Sequence, residues 1–533
     1  MFSSHFHTLH LLIKLILNRT LQPDSILVIS TKQCHFSAGL DFLYLPGTLF
    51  PDDPQPSEHR FSMIRRIFFS FVAGLMLAAS AQAGVELPPI ISDHMVIQRD
   101  KPVILWGWDA PGQEVKVSLA GNSATAKANN EGKWQVSLPA LPAGGPHEIT
   151  IAGSVTISVK DVLVGEVWLC SGQSNMEWNV AQSDNPKEEI ANGNHPKIRH
   201  IKVPHIPADK AQRNVAAGGW TVASPDTVAQ YTAVGYYFAR HLQKELDGVP
   251  IGLIGSNWGG TRIEPWTPPV GFQSVPALKE TADNLDKFPT KNDKGQINFQ
   301  TALALYNGMI HPFVPYAFRG SLWYQGESNN GEGMLYRDKM EALITGWRKV
   351  FNNPEMPFYF VQLAPFVYGN ANPENLAGIW QAQLKSLDIP NTGMAVTVDI
   401  GNTKDIHPKN KQDVGKRLAL WALAKTYGKD GIVYSGPLYK SHEVKDGAVH
   451  VHFNHTGGGL VSRDGQPLSW WEVAGEDGQF KKAEAKIDGD HVVVKSADVA
   501  APVAVRYAYN QAAEPNLSNK EGLPASPFKA GGK

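Results

Sequence analysis

The chain has 533 residues, which is enough for two or three domains. Charged residues make up 19% of it and the formal net charge is −1, so the composition shows no basic surface of the kind that binds nucleic acid or an anionic membrane. Cys34 and Cys170 are the only cysteines, which excludes a disulfide framework.

Residues 63–83 have the pattern of a secretory signal. A basic start (63–66) and an apolar stretch (67–79) are followed by an Ala-x-Ala ending at Ala83. The apolar stretch is shorter than the roughly 20 residues that span a bilayer. We therefore expect export to the periplasm or the extracellular space, cleavage near Ala83 and no membrane span. Residues 1–62 are expected to be a non-native leader upstream of the true start.

Residues 85–160 show short runs that alternate apolar and polar side chains, separated by turns rich in glycine, proline and asparagine. This pattern predicts a small N-terminal β domain of the sandwich type. The predicted strands are 103–108, 114–119, 133–138 and 147–151.

The pattern changes at residue 161, and strands then alternate with helices as far as residue 430. The predicted strands are 162–170, 251–255, 320–324, 358–363 and 394–398, and the predicted helices are 234–246, 335–350, 376–387 and 411–427. Such alternation predicts a parallel sheet covered by helices, with ligands binding beyond the carboxyl ends of its strands. Residues 431–533 return to alternating strands (448–453, 467–473, 491–495 and 503–509) and predict a C-terminal β domain.

A serine turn follows the first predicted strand of residues 161–430. Ser174 lies in a Gly-Gln-Ser-Asn turn directly after the apolar run 162–170. A strand that ends in a small-residue turn presents a serine hydroxyl and nearby backbone N–H groups, as a nucleophile requires. Cys170, at the hydrophobic end of the same strand, is expected to be a buried structural cysteine rather than the nucleophile.

The block Gly-Gln-Ser-Asn-Met-Glu-Trp, which ends at Trp178, resembles the first block of the SGNH hydrolases in the form carried by sialate O-acetylesterases. Later blocks at residues 255–266, 323–329 and 405–408 strengthen the resemblance. It implies an α/β fold: an SGNH-type three-layer parallel-sheet hydrolase core, flanked by N-terminal and C-terminal β-sandwich-like domains.

The resemblance also implies catalytic roles. Ser174 would be the nucleophile and His407 its base, because neutral imidazole accepts a proton near neutral pH. The family places an aspartate three residues before that histidine, where this chain has Lys404. Asp405, two residues before His407, shares a face with it in an extended segment and is the predicted third member. The alternative is a Ser–His dyad supported by another group, such as Asp399.

The oxyanion hole is predicted from the same blocks. The backbone N–H groups of Ser174 and Gly260 would donate to the oxyanion, since paired glycines let the backbone approach a ligand closely. In this family the third block supplies a side-chain amide, for which Gln325 is the candidate and Asn329 the alternative.

Aromatic and charged residues near the blocks are the predicted substrate-binding groups. Tryptophan stacks on sugars, although core packing is the alternative for each one. A basic residue is expected beside the carboxylate of sialic acid, and Arg262 is the candidate. The complete set is Trp178, Trp258, Arg262, Trp266, Trp323 and Glu327.

These features predict a secreted serine esterase that removes O-acetyl groups from sugars, with sialate O-acetylesterase as the first interpretation. An acetylxylan or other hemicellulose acetylesterase is the alternative, and an inactive carbohydrate-binding protein on a hydrolase scaffold is a further one. The reaction needs an O-acetylated carbohydrate and water, and no cofactor or nucleic acid partner is expected.

His450, His452 and His455 have a spacing that suits a metal ion. Their stretch alternates like a strand, however, and no acid or cysteine in it completes a ligand set. The sequence therefore predicts no metal site.

The signal pattern leads to a direct prediction about the mature protein. Expression from Met63 should give an exported product that begins close to Gly84, because the Ala-x-Ala ending is the cleavage signal. Mass spectrometry of the secreted material measures this. Peptides from residues 1–62 in native material would contradict it.

Overall fold

The computed structural model describes residues 84–532. The predicted leader (1–62) and signal peptide (63–83) lie outside the described residues. Within residues 84–532, no helix combines the length and the hydropathy that crossing a bilayer requires.

The described residues form an α/β structure with one large mixed sheet and additional antiparallel sheets. In chain order, the strands are β1 (Val96–Gln98), β2 (Val103–Trp108), β3 (Glu114–Leu119), β4 (Asn122–Lys127), β5 (Lys133–Leu138), β6 (Gly144–Ala152), β7 (Thr156–Gly172), β8 (His195–Lys202), β9 (Thr221–Ala223), β10 (Ile251–Asn257), β11 (Gly320–Tyr324), β12 (Phe358–Val361), β13 (Thr392–Ala395), β14 (Leu438–Lys445), β15 (Ala448–Asn454), β16 (Leu460–Ser462), β17 (Trp471–Ala474), β18 (Lys481–Lys482), β19 (Glu484–Asp488), β20 (His491–Lys495), β21 (Ala504–Tyr507), β22 (Leu517–Asn519) and β23 (Phe528–Gly531). The α-helices are α1 (Ser174–Glu177), α2 (Pro186–Ala191), α3 (Ala233–Glu245), α4 (Pro269–Ser274), α5 (Lys279–Ala282), α6 (Leu335–Val350), α7 (Glu374–Lys385) and α8 (Lys411–Trp421).

The catalytic region is built on a parallel sheet with β7 at its centre. The strand order is β13-β12-β11-β7-β10-β8-β9, and all neighbours except the β8–β9 pair are parallel. Every residue of β10, β11 and β12 is buried, as expected for strands covered on both faces. Because the chain turns to one side of β7 for β10 and to the other for β11, a crevice forms at the carboxyl end of β7.

Strand β7 also joins this sheet to the N-terminal strands. Its first half pairs with β6 and β1, and its second half pairs with β10 and β11. The strand runs through residues 160 and 161, where the sequence suggested a domain boundary. β3 and β4 continue the sheet through β6, whereas β2 pairs with β5. The division into domains stays a prediction.

The C-terminal residues form antiparallel sheets with a core of their own. One sheet has the order β14-β15-β20-β19 and another β18-β17-β21-β23. Val449 and Val492 from the first sheet share a hydrophobic cluster with Trp471 and Phe528 from the second. The alternating burial of β15 and β20 turns their other side chains toward the opposite face.

Most predicted elements of the catalytic region are present with small shifts at their ends. β11 and α6 have the predicted bounds, and α8 ends at Trp421, where the turn Ala422–Thr426 continues it with wider π-helical bonding. The sequence analysis missed β8, because Arg199 and His200 interrupt its apolar pattern. Arg199 is buried through an ion pair with Asp161, with 2.7 Å between Nη1 and Oδ2.

Candidate active site

The serine turn is fixed by the close approach of two neighbouring strands. Gly172, the last residue of β7, has φ +133°, and a Cβ atom there would lie 2.2 Å from the carbonyl oxygen of Tyr324 at the end of β11. Only glycine fits such a position. The next amide, that of Gln173, donates to the same carbonyl at 2.9 Å. Ser174 then begins α1, so its hydroxyl lies at the carboxyl end of the central strand.

The structure brings Ser174 and His407 together. The Ser174 Oγ and His407 Nε2 atoms are 2.8 Å apart, although 233 residues separate them in the chain. The indole ring of Trp178 stacks on the imidazole, with ring centroids 4.8 Å apart and an interplanar angle of 17°. This packing restricts the imidazole ring. The arrangement matches a nucleophile with its base.

Burial lowers the pKa of His407, and the charge of Lys411 lowers it further, while Asp405 opposes both effects. The imidazole is therefore neutral at neutral pH, which is the form that accepts a proton from serine. Cys170 cannot compete as a nucleophile, because complete burial raises the pKa of its thiol far above the usual range.

Asp405 makes a different contact from the one a catalytic triad requires. Its Oδ1 atom accepts a hydrogen bond from the backbone N–H of His407 at 2.9 Å. The distance from Oδ1 to the ring Nδ1 atom of His407 is 3.9 Å, which is too long for a hydrogen bond. Asp399, the other acid considered, forms two 2.7 Å bonds with Arg417. Asp405 thus holds the loop of His407 rather than its ring.

A buried polar network that the sequence analysis missed links the serine turn to the histidine loop. Asn175 Nδ2 donates to Ile406 O at 3.0 Å and to Glu327 Oε1 at 2.6 Å. Asn175 Oδ1 accepts from the buried Lys411 Nζ at 2.5 Å. Burial raises the pKa of Glu327 and lowers that of Lys411 to about 7, because it disfavours both charges. In the sequence, only the position of Asn175 directly after Ser174 could have indicated this network.

The predicted oxyanion groups lie in different environments. Gly260 is exposed with φ +73°, while Gly259 packs against Ser174, so that a Cβ atom on it would lie 3.3 Å from Ser174 Cβ. The N–H of Ser174 is at the first position of α1, where a helix leaves amides without intrahelical partners.

The two candidate side-chain amides are buried and already hydrogen-bonded. Gln325 Nε2 donates to Thr261 O at 3.1 Å and to Asn329 Oδ1 at 2.8 Å. Asn329 Nδ2 donates to Glu264 at 3.1 Å and to Glu332 at 3.2 Å. Both side chains therefore hold the loops together in this structure.

Ser174, Trp178 and His407 line a cavity of about 760 Å³. Its wall also includes Glu177 and Lys202, which the sequence analysis did not select. Lys202 Nζ lies 3.3 Å from Glu177 Oε1 and donates to Asn257 at 2.6 Å.

The other predicted substrate-binding residues lie elsewhere. Trp266 and Trp323 are buried in the hydrophobic core, where their rings meet edge to face. Trp258 stacks between His205 and Phe299. Two further residues have protein partners: Arg262 forms ion pairs with Glu264 and Glu332, and Glu327 belongs to the buried network.

Comparison with known proteins identifies the family. The family model described as "Carbohydrate esterase, sialic acid-specific acetylesterase" matches residues 164–424. The human sialate O-acetylesterase is 31% identical over 421 residues, an alignment that covers 71% of this chain and 78% of the human protein. The chain belongs to this family of carbohydrate esterases. It is accordingly a carboxylic ester hydrolase.

Two further relatives extend the similarity. The sialate O-acetylesterase of Rattus norvegicus is 30% identical over 435 residues, covering 70% of this chain and 80% of the rat protein. The crystal structure of a carbohydrate acetylesterase from Xanthomonas citri is 40% identical with a TM-score of 0.77, and the match covers 84% of this chain and 99% of that one. The similarity to the crystal structure therefore extends well beyond the residues that the family model matches.

The contacts of Asp405 in this esterase lead to a prediction. Asp405→Asn should reduce kcat by less than about fivefold, far below the ~10⁴-fold loss when a triad aspartate is changed, because the asparagine oxygen still accepts the His407 N–H. The acid limb of kcat/KM should move to lower pH, because the charge of Asp405 raises the pKa of His407. Steady-state kinetics across pH measure both effects.

Lys411→Met should move the acid limb the other way, to higher pH, because the Lys411 charge lowers the pKa of His407. Lys404→Met is the matched control, since Lys404 is exposed and should leave the limb in place. A large loss of kcat in Asp405→Asn, or shifts of the same sign in the Asp405 and Lys411 variants, would contradict this account of the site.

Proposed function

We propose that this esterase removes acetyl groups from O-acetylated sialic acid by acyl transfer through Ser174. The observation that carries the proposal is the 2.8 Å contact between Ser174 Oγ and His407 Nε2 on the wall of a cavity of about 760 Å³. A cavity of this size accommodates a sugar beside the serine hydroxyl.

In the first step, His407 takes the proton of the Ser174 hydroxyl as its oxygen attacks the acetyl carbonyl. The lowered pKa of His407 keeps the imidazole neutral and ready for this step. Trp178 stacking and the bond from the His407 N–H to Asp405 hold the base in place. Ser174 and His407 would then act as a dyad whose ring is oriented by packing.

The negative charge that develops on the carbonyl oxygen needs nearby donors. The backbone N–H groups of Ser174 and Gly260 fill this role in our proposal. Gln325 acts as a positioning residue, because its hydrogen bond to Thr261 O holds the loop that contains Gly259 and Gly260 beside Ser174. The imidazolium then protonates the departing sugar hydroxyl, and water attacks the acetyl-serine to release acetate.

Lys202 is the basic residue that supports sialic acid as the substrate. It lines the cavity together with Ser174 and has one acidic partner, Glu177, whereas Arg262 is paired with two glutamates. Burial lowers the pKa of Lys202, but Glu177 opposes this effect. A carboxylate beside the acetylated sugar ring would pair with its ammonium group.

The fold and location belong to the same proposal. The helices pack in two groups. Helix α3 packs against α8, and helix α6 packs against α4 and α7. This arrangement supports a three-layer SGNH core around the parallel sheet. The antiparallel pairings of the N-terminal strands, β2 with β5 and β3 with β4 and β6, and the antiparallel C-terminal sheets support the two flanking β-sandwich-like domains. The signal pattern at 63–83 supports action outside the cytoplasm.

Ser174→Ala should lower kcat by about 10³-fold or more without loss of the fold, because members of such a unit contribute on this scale. His407→Ala should match it, and the double variant should be no worse, since the two residues act as one unit. Acetate release from a chromogenic acetate ester gives the rates. Ser158→Ala, which changes an exposed serine on strand β7, is the control. Ser174→Ala with a tenth of wild-type activity or more would exclude the assignment.

Lys202→Met should raise KM for O-acetylated sialic acid by about tenfold and leave kcat nearly unchanged, because it removes a charged partner of the substrate. KM for acetylated xylo-oligosaccharides, which lack the carboxylate, should not change. The control is Lys197→Met, an exposed lysine on the same strand. A wild-type preference for acetylated xylan would instead favour the hemicellulose alternative.

A further inference from the structure

Three histidines come together on the open face of the C-terminal sheet β14-β15-β20-β19. His450 and His452 lie on β15, and His491 begins β20 directly opposite His452. All three are half-buried, whereas the valines between them point into the core. The His491 ring lies 5.3 Å from that of His450 and 5.0 Å from that of His452, measured between centroids.

An aspartate completes the group. Asp490, in the turn before β20, places its Oδ1 atom 3.4 Å from His491 Nδ1. His452, Asp490 and His491 each offer one possible ligand atom, and these three atoms lie within 4.8 Å of one another. The sequence analysis considered the neighbouring histidines and found no acid to complete a set. The pairing of β15 with β20 brings in both Asp490 and His491, which lie about 40 residues further along the chain than His450.

We propose that His452, Asp490 and His491 bind a divalent transition-metal ion of the Zn²⁺ class. Two ligands that hold zinc at about 2.0–2.1 Å in a tetrahedron are roughly 3.3 Å apart, close to the 3.4 Å between Asp490 and His491. The Asp490 side chain is 88% exposed, so it is free to rotate toward the ion. Imidazole and carboxylate together suit zinc better than calcium or magnesium, which take oxygen ligands.

His450 has the position of a residue that orients a ligand. Its Nδ1 atom lies 3.1 Å from His491 Nε2, the ring nitrogen on the far side from Asp490. A metal-bound histidine commonly donates through its other ring nitrogen to a hydrogen-bond acceptor, which fixes the ring and its tautomer. In this arrangement His491 Nε2 donates and the unprotonated Nδ1 atom of His450 accepts. The same contact leaves His491 Nδ1 as the nitrogen for the metal.

The ion would join two strands and the turn that connects β19 to β20. It would therefore stabilise the C-terminal sheet, since a ligand that binds only the folded state shifts unfolding toward higher temperature. None of the residues of the proposed active site belongs to this sheet. The metal site is thus independent of the esterase reaction.

The test is isothermal titration of ZnCl₂ into chelator-treated, full-length protein without a polyhistidine tag. We expect one site per chain and a higher melting temperature with zinc. His452→Gln, His491→Gln and Asp490→Asn should each weaken binding by about tenfold or more, and His450→Gln by a smaller factor. Esterase activity should be unchanged in these variants.

His147→Gln is the matched control, because it removes a half-buried histidine from β6 in the N-terminal part of the chain. It should bind zinc like the wild type. Failure of the wild-type protein to bind Zn²⁺ at millimolar concentration would overturn the proposal. Binding that survives unchanged in both His452→Gln and His491→Gln would overturn it equally.

Discussion

The geometry of the proposed active site depends on one buried side chain, that of Asn175. It follows Ser174 directly and donates to the carbonyl of Ile406, the residue before His407. The same amide bridges Glu327 and Lys411, two buried ionisable groups. A buried charge without a partner costs several kcal/mol, so the network is stable only when every member is bonded. The Asn175 side chain thereby joins the serine turn, the block at residues 323–329 and the loop that carries His407.

Burial also sets the protonation states on which the chemistry depends. The low dielectric around His407 and the nearby Lys411 favour the neutral imidazole, while complete burial keeps Cys170 protonated. The long distance between Asp405 and the imidazole ring fits this arrangement, since packing by Trp178 restricts the ring. Asp405 contributes through the backbone of the loop instead.

Strand β7 determines where this network forms. It is the central parallel strand, and the loops after its neighbours β10 and β11 carry the glycine pair and Gln325. Gly172 allows β7 and the end of β11 to come within contact distance, where any side chain would collide with Tyr324. Motifs that are far apart in sequence therefore meet at one sheet edge.

The sequence by itself determined the elements whose signal is local. The apolar run of β11 and the amphipathic pattern of α6 predicted both elements with their observed bounds, and the serine turn was placed directly after a strand. The irregular strand β8 escaped notice, because its buried Arg199 is stabilised by a distant partner, Asp161. A local pattern cannot show such a partner.

Only the tertiary structure decided which side chains meet. It placed Trp266 and Trp323 in the core and kept Trp178 beside His407, although all three lie in the sequence blocks that carry the family resemblance. It also brought His491 and Asp490 beside His452 through strand pairing. The physical reason is the same in each case: the direction of a side chain and its long-range partners are fixed by packing between elements. The spacing of residues along a single helix or strand does not show which distant residues its side chains will meet.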